Sequence, residues 1–254
     1  MDVPVSPQEP ELVEHRWFKN EEPFELYVRR DLFLPNRVTA LYVQGAKEVI
    51  ARFPTPVRVA DIGTGQGPIC TYLGRREDVT FVDAVEPVEA QCEIARRNIA
   101  YHHLGDKVRV HHGMFCEPLN GDAYEIIVAD VSGIGHQVAV NMGWYPPGIP
   151  TGGPDGTEVI LPLLASAGGY LADGGYMVIT VGIGVSDHEK ILAAADEHFG
   201  GRELVAEQTF PLSAEAMSML QKLDDPFLQH ITRRGTRGTY RGEVYALSNP
   251  RNRD

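Results

Sequence analysis

The chain has 254 residues, 43% of them hydrophobic and 23% charged, which suits one large α/β domain or one domain with an appendage. A net charge of −12 and a pI near 5.2 argue against general affinity for nucleic acid, whose phosphates ask for basic surface. No apolar run approaches the ~20 residues of a membrane helix, Met1-Asp2-Val3-Pro4-Val5 lacks the basic and apolar regions of a leader, and the three cysteines, Cys70, Cys92 and Cys116, have no metal-type spacing and an odd count. These features point to a cytoplasmic protein with free thiols.

In chain order, residues 1–16 are rich in Pro and Glu and are expected to be disordered or extended. Residues 17–53 read as a hairpin and a helix. Phe24–Val28 alternates like a strand, Leu32–Leu34 is a second short run, and Thr39–Phe53 carries helical spacing closed by Pro54 and Pro56. Residues 54–254 then alternate strands and helices. The strands are Val57–Ile62, Val79–Val85, Val108–His112, Glu125–Val128, Tyr176–Val181 and Glu203–Phe210, with helices over Gly67–Gly74, Val88–His103, Thr157–Leu171 and Ser186–His198. Gly133–Gly153 reads as loop. The alternation predicts a doubly wound, mostly parallel sheet with helices on both faces. Glu243–Leu247 is the candidate for a final antiparallel strand, which makes seven, and Pro211–Arg241 is an insertion before it with a short helix near Ser213–Leu223.

The informative stretch is Val57 to Cys70. A buried-strand pattern ends in an acid, Asp61, and glycines follow at alternate positions, Gly63, Gly65 and Gly67. Glycines in a strand-to-helix turn allow positive φ and close approach of a ligand to the backbone. The dinucleotide fingerprint needs its third glycine at position 68, which is Pro68. The pattern Asp61-x-Gly63-x-Gly65-x-Gly67 instead resembles motif I of the class I S-adenosylmethionine (SAM)-dependent methyltransferases, whose ligand carries a sulfonium cation rather than a pyrophosphate. Further matches resemble the release-factor glutamine methyltransferases. These are Val28–Pro35 followed by Thr39 upstream, then Gly113-Met114-Phe115-Cys116-Glu117-Pro118-Leu119, Gly152-Gly153-Pro154-Asp155-Gly156 and Leu171-Ala172-Asp173-Gly174-Gly175. The resemblance spans roughly residues 17–185 and implies a class I Rossmann-like fold with SAM as cofactor.

Ligands of open parallel sheets sit beyond the carboxyl ends of the strands, so strand-end residues are the candidates. Glu86 suits the ribose hydroxyls, with Pro87 beginning the next helix. Met114 and Phe115 suit an adenine face, and Thr39 joins the cofactor set through the upstream match. Asp130, after the fourth strand, suits orientation or deprotonation of an acceptor, and Ser132, His136, Trp144, Tyr145 and Tyr27 are candidates for an acceptor pocket. No metal is expected. His102, His103, His111 and His112 read as surface residues, because neighbours on a strand point to opposite faces.

Two departures shape the functional expectation. The family's Asn-Pro-Pro-Tyr is Asp130-Val131-Ser132-Gly133 here, and nothing in the sequence reads as its N-terminal helical bundle. The expected acceptor is therefore a nitrogen or oxygen of a small molecule, with neither nucleic acid nor membrane as partner. Two alternatives are a SAM-consuming enzyme that moves or cyclises the aminocarboxypropyl arm and releases methylthioadenosine, and a non-catalytic SAM-fold subunit. The 211–241 insertion is open to a role as active-site cap or homodimer contact, and its Arg233, Arg234, Arg237 and Arg241 form a local basic cluster.

Overall fold

The computed structural model describes residues 9–18, 21–121 and 123–251; of the 1–16 stretch expected to be disordered or extended, residues 1–8 lie outside these. Two strands come first, β1 (Glu11–His15) and β2 (Phe24–Val28), paired antiparallel with Leu12 opposite Tyr27. The expected hairpin thus forms with a different partner. Leu32–Leu34 stays out of the sheet because the chain there is held from elsewhere. Gln66 Nε2 donates to the carbonyls of Arg29 (3.2 Å) and Phe33 (2.8 Å), and Gln66 Oε1 accepts from Arg29 N at 2.7 Å. Within the stretch expected to be disordered or extended, residues 11–15 are extended as β1, and Trp17 packs edge-on against Phe24 with ring centroids 4.8 Å apart.

Helix α1 (Arg37–Ile50) starts at a reciprocal cap, in which Asn36 Oδ1 accepts from Val38 N at 2.7 Å and Thr39 Oγ1 accepts from Asn36 N at 3.2 Å. Strand β3 (Val57–Ile62), α2 (Pro68–Gly74), β4 (Val79–Glu86), α3 (Glu89–Tyr101), β5 (Val108–His112) and β6 (Tyr124–Ala129) follow as the spacing predicts. The 133–153 loop contains a short helix, α4 (His136–Asn141). Its buried apolar pair Val138 and Ala139 is too brief to show a helical period, and Val138 packs against the insertion. The chain closes with α5 (Ile160–Ala167), β7 (Leu171–Ile183), α6 (His188–His198), β8 (Phe199–Leu212), α7 (Ala214–Leu220), β9 (Thr232–Arg234) and β10 (Arg237–Pro250).

The sheet runs β5-β4-β3-β6-β7-β10-β8, seven strands in line, with short β9 paired to β10 off that path. Pairings from β5 through β7 are parallel, and β10 is antiparallel to both β7 and β8. Alternate residues of each central strand enter two cores. Val59, Val82, Val128 and Val178 face α1 and α2, while Ile62, Val85, Ile127 and Ile179 face α5 and α6. Burial on both faces explains the unbroken apolar runs. The insertion carries a third cluster around Met217, Leu220, Phe227 and Ile231, packed on Val138 of α4.

Strand order reverses between β3 and β6, which opens a crevice at their carboxyl ends. Below it, Asp83 ties the parallel strands together. Its carboxylate meets His111 Nε2 at 2.7 Å, Tyr124 Oη at 2.8 Å and Arg58 Nη2 at 3.5 Å, from β5, β6 and β3 respectively. Asp83 is almost fully buried, so its loss strands several polar groups at once. Asp83→Ala should lower unfolding stability by about 2–4 kcal/mol, read as a reduced urea midpoint at unchanged slope; a shift under about 0.5 kcal/mol would show the network to be idle.

Candidate active site

The crevice is an open cleft of about 920 Å³, counting the part that is open to solvent. Its floor is the Gly-rich turn after β3. Gly63 N and Thr64 N both donate to Val85 O, at 2.8 and 3.1 Å, so the turn is stitched to the end of β4. Gly63 has φ +80°, and a Cβ there would lie 2.4 Å from Asp130 O, which leaves glycine as the fitting residue. Gly65, at φ +57°, has open space where a Cβ would stand, its nearest neighbour being Gln91 Oε1 at 3.6 Å. That vacancy faces the cleft and is the cradle a close-lying ligand requires.

Glu86 closes the turn from the second strand. Its Oε2 accepts from Gly65 N at 2.9 Å, and its Oε1 accepts from Val88 N at 2.9 Å and Gln91 Nε2 at 3.0 Å. A carboxylate offers about four acceptor positions, so Glu86 has room for one ribose hydroxyl rather than the two expected. Burial pushes its proton affinity up, against the pull of those three donors. Met114 and Phe115 both line the cleft, Met114 exposed and Phe115 in the left-handed region at φ 51°. A bulky residue in that region carries local strain, here placed at the cleft rim. Pro87, Thr39, Ser132 and Tyr145 also line it.

Other expected site residues sit elsewhere. Asp61 does not line the cleft. It is fully buried beneath the turn, with Oδ2 accepting from Thr64 Oγ1 at 2.6 Å and Oδ1 without a partner among the described residues. Gly67 caps α2 and packs against Ala95 of α3, where a Cβ would lie 3.0 Å from Ala95 Cα. Tyr27 faces α3, under the Arg97 guanidinium at 3.9 Å, and its backbone N donates to Asn98 Oδ1 at 2.6 Å. His136 Nδ1 is bonded to Thr151 Oγ1 at 3.0 Å, and Trp144 packs on Tyr240 at 5.6 Å, both away from the cleft. Sequence spacing placed these near the site by chain proximity, whereas the side chains turn into neighbouring elements.

The structure adds residues the sequence reading missed. Gln66 is buried and straps the segment before α1, which brings Phe33 and Pro35 over the cleft. Its signal was a polar side chain inside a motif of glycines. Tyr42 and Tyr240, from α1 and β10, meet Asp130 in a second cavity; nothing local in the sequence pairs them. Of the histidines singled out above, His102 Nε2 is bonded to Glu25 O at 2.6 Å, His111 to Asp83, and His112 Nε2 to Pro87 O at 3.0 Å. Among the described residues, one set with metal-ligating atoms gathers, His188, Glu189 and His230, at the foot of α6.

The chemistry of the donor set suits a cationic, hydroxyl-bearing ligand. Asp130, Glu86 and Asp61 repel one another, and burial raises the proton affinity of all three, Asp130 well above the ordinary carboxyl range and Asp61 up to about 7. No Lys or Arg lines the cleft. Among the described residues Gln91 Oε1 and Asp61 Oδ1 are buried without a partner, the first 3.6 Å from where a Gly65 Cβ would stand and the second beneath the turn. A sulfonium and an ammonium would relieve this arrangement, whereas a pyrophosphate would aggravate it. SAM fits these residues.

Relatives agree with the geometry. Residues 46–142 match the model of the family described as "Methyltransferase domain". The chain is 29% identical over 164 residues to a ribosomal protein uL3 glutamine methyltransferase of Bordetella pertussis, covering 61% of this chain and 54% of that protein. It is 27% identical over 171 residues to a release factor glutamine methyltransferase of Geobacter sulfurreducens, covering 64% and 57% respectively. The chain thus spans a little over half the length of these relatives. By fold it resembles the Thermus thermophilus 16S rRNA N2 G1207 methyltransferase in complex with AdoMet and guanosine, with a TM-score of 0.60, 16% identity and coverage of 98% of this chain and 53% of that one. It also resembles the YcgJ protein of Bacillus subtilis, with a TM-score of 0.56, 12% identity and coverage of 82% and 98%. One expectation is overturned. The expected small-molecule partner does not stand, because the relatives are named for acting on a ribosomal protein and a release factor. That expectation rested on the replaced Asn-Pro-Pro-Tyr segment at Asp130–Gly133, which bears on the chemical group held beside the cofactor and not on the size of the molecule that carries it. No helix among the described residues is long and apolar enough to cross a membrane.

Asp61 makes the site sensitive to pH. Its proton binds more tightly in the folded chain, up to about 7, than in the unfolded one, so stability falls as pH rises from the unfolded value through 7. In ligand-free protein, Asp61→Asn should flatten the decline of the melting temperature between pH 5 and 8 and raise it at pH 8; an unchanged pH profile would remove Asp61 as the cause. Residues 46–142 match the methyltransferase domain family model, and the chain carries a fold like that of the rRNA methyltransferase described above.

Proposed function

We propose that this chain transfers a methyl group from SAM to a nitrogen of a protein acceptor. The observation that carries the reading is the acidic, glycine-floored cleft at the strand-order switch, with Asp130 at its far wall. The names of the relatives support a protein acceptor and a cytoplasmic setting. In this reading residues 54–254 hold the cofactor, and residues 17–53 supply the acceptor-side wall through Phe33, Pro35 and Thr39.

The bound cofactor supplies an electrophilic methyl carbon. The chain supplies position and exclusion of water, which are the main levers for a displacement of this kind. Glu86 accepts a ribose hydroxyl while it keeps Gly65 in place. Met114 and Phe115 cover the base. The Gly65 turn takes the cationic end, with Asp61 acting through its charge from beneath the floor, and Asp130 orients the incoming nitrogen and takes up its proton. Val131 and Tyr145 line the wall beside Asp130 and narrow the path for water.

Glu86→Gln keeps the shape of the side chain but cannot keep accepting from all its donors as a carboxylate does. It should weaken SAM binding at least tenfold by calorimetry, in line with loss of a charge-assisted hydrogen bond of about 1.5–3 kcal/mol. With desalted cell protein as acceptor, the nucleoside product read by mass spectrometry should be S-adenosylhomocysteine. Methylthioadenosine would overturn methyl transfer, and wild-type-like SAM affinity in Glu86→Gln would overturn the placement of the ribose.

A further inference from the structure

Asp130 belongs to two cavities at once. Behind the cofactor cleft lies a second cavity of about 570 Å³, and the two share Phe33, Thr39, Asp130, Val131 and Tyr145. Tyr42 and Tyr240 complete the far side. The rings are fixed by their own packing, Phe33 against Tyr145 at 5.1 Å and Tyr240 stacked on Phe210 at 5.0 Å. No Lys, Arg or His lines either cavity. No described residue gives the Asp130 carboxylate a hydrogen bond or an ion pair. Its charge is nevertheless felt by the hydroxyls of both Tyr42 and Tyr145.

We infer that the nitrogen accepted here is a primary amine of a polypeptide, which enters as an ammonium ion and docks on Asp130 inside the ring wall of Phe33, Tyr42, Tyr145 and Tyr240. The inference rests on the methyl-transfer reading and narrows its acceptor. A carboxamide is neutral and brings no charge to the group of acids formed by Asp130, Glu86 and Asp61. An ammonium supplies the missing countercharge, and aromatic faces attract it further, by roughly 0.5–2 kcal/mol each when well placed.

The chemistry balances without another reagent. The ammonium gives one proton to the Asp130 carboxylate, and the freed nitrogen lone pair forms the bond to the methyl carbon. The carbon–sulfur bond breaks with its electron pair left on sulfur, so a neutral thioether departs and the product is a methylated ammonium. Asp130 then releases the proton to water. Burial and the neighbouring acids make Asp130 a stronger base than an ordinary carboxylate, which suits that transfer.

The test uses the full chain, SAM tritiated in the methyl group, and desalted whole bacterial cell protein as acceptor. Labelled protein is hydrolysed in strong acid and its amino acids are separated. Label in N-methyl-lysine supports a lysine side chain as the amine, and label in an α-N-methyl amino acid supports a chain terminus. An N-methyl amide breaks down to volatile methylamine, so label there overturns the amine inference alone. Label in neither, with SAM bound by calorimetry, also overturns it. Failure to bind SAM overturns the methyl-transfer reading as well, so the two failures are distinguishable.

Variants of the ring wall provide an independent measurement. Tyr240 lines the second cavity and not the cofactor cleft. Tyr240→Leu should raise the acceptor KM about 5–10-fold and leave SAM affinity within twofold, while Tyr240→Phe, which keeps the ring, restores the KM. Asp130→Asn should lower kcat on the amine by about 100-fold or more. Equal KM values for the Leu and Phe variants, or increased labelling with Asp130→Asn, would count against the ammonium dock.

Discussion

The site depends on one carboxylate that the protein uses as a fastener. Glu86 at the end of β4 reaches across to Gly65 N, turns back to Val88 N, and takes the amide of Gln91. Those bonds join the turn after β3 to the start of α3. The turn has positive φ at its three glycines, and its two side chains bond elsewhere, Thr64 to Asp61 beneath it and Gln66 to the segment before α1. Without an outside acceptor its backbone donors would be free to rotate out of the cleft. The cost is a buried negative charge, partly offset by charge-assisted hydrogen bonds and placed where a cationic ligand would offset more.

A second constraint works from the opposite wall. Gln66, inside the glycine turn, holds the carbonyls of Arg29 and Phe33, so the segment between β2 and α1 is set by the same motif that forms the floor. Phe33 is thereby brought against Tyr145, and Thr39 is held by its cap with Asn36. Floor and roof are therefore coupled, and a change at Gln66 would be felt on the acceptor side as well as the cofactor side. The Gly152–Gly156 segment contributes differently. Asp155 takes Thr157 N at 3.1 Å and Lys190 Nζ at 3.0 Å, which anchors the loop to α6 rather than to a ligand.

Charge ties these parts to chemistry. Asp61, Glu86 and Asp130 are close enough to raise one another's proton affinity, in a cleft that no Lys or Arg lines. Mutual repulsion of this kind persists in a fold only where packing enforces it, and it favours cations strongly when they arrive. A sulfonium cofactor would answer the acids at the floor, Glu86 in the cleft and Asp61 beneath it. The Asp130 side, walled by phenols, asks for a cation of its own.

The sequence by itself determined the strands and helices of the central sheet, because residues buried on both faces of a parallel strand are mainly apolar, as in Ile126–Ala129 and in Val57–Ile62 apart from Arg58 and Asp61. It also determined the glycine turn and the acid of β4, since backbone conformation at Gly63 and Gly65 restricts those positions to one residue type. What it left undecided was the direction of side chains at ends and edges. Tyr27, His136 and Trp144 were close to the site along the chain and turned away from it, while Tyr42 and Tyr240, far apart in sequence, came together on Asp130. Likewise β2 found its partner upstream in Glu11–His15, because Gln66 had already taken the carbonyls of the downstream segment. Local pattern fixes which elements form, since periodicity and backbone restriction are properties of a few consecutive residues. Long-range contacts decide which side chains share a cavity, so the cofactor floor was legible and the acceptor wall became visible only in the folded chain.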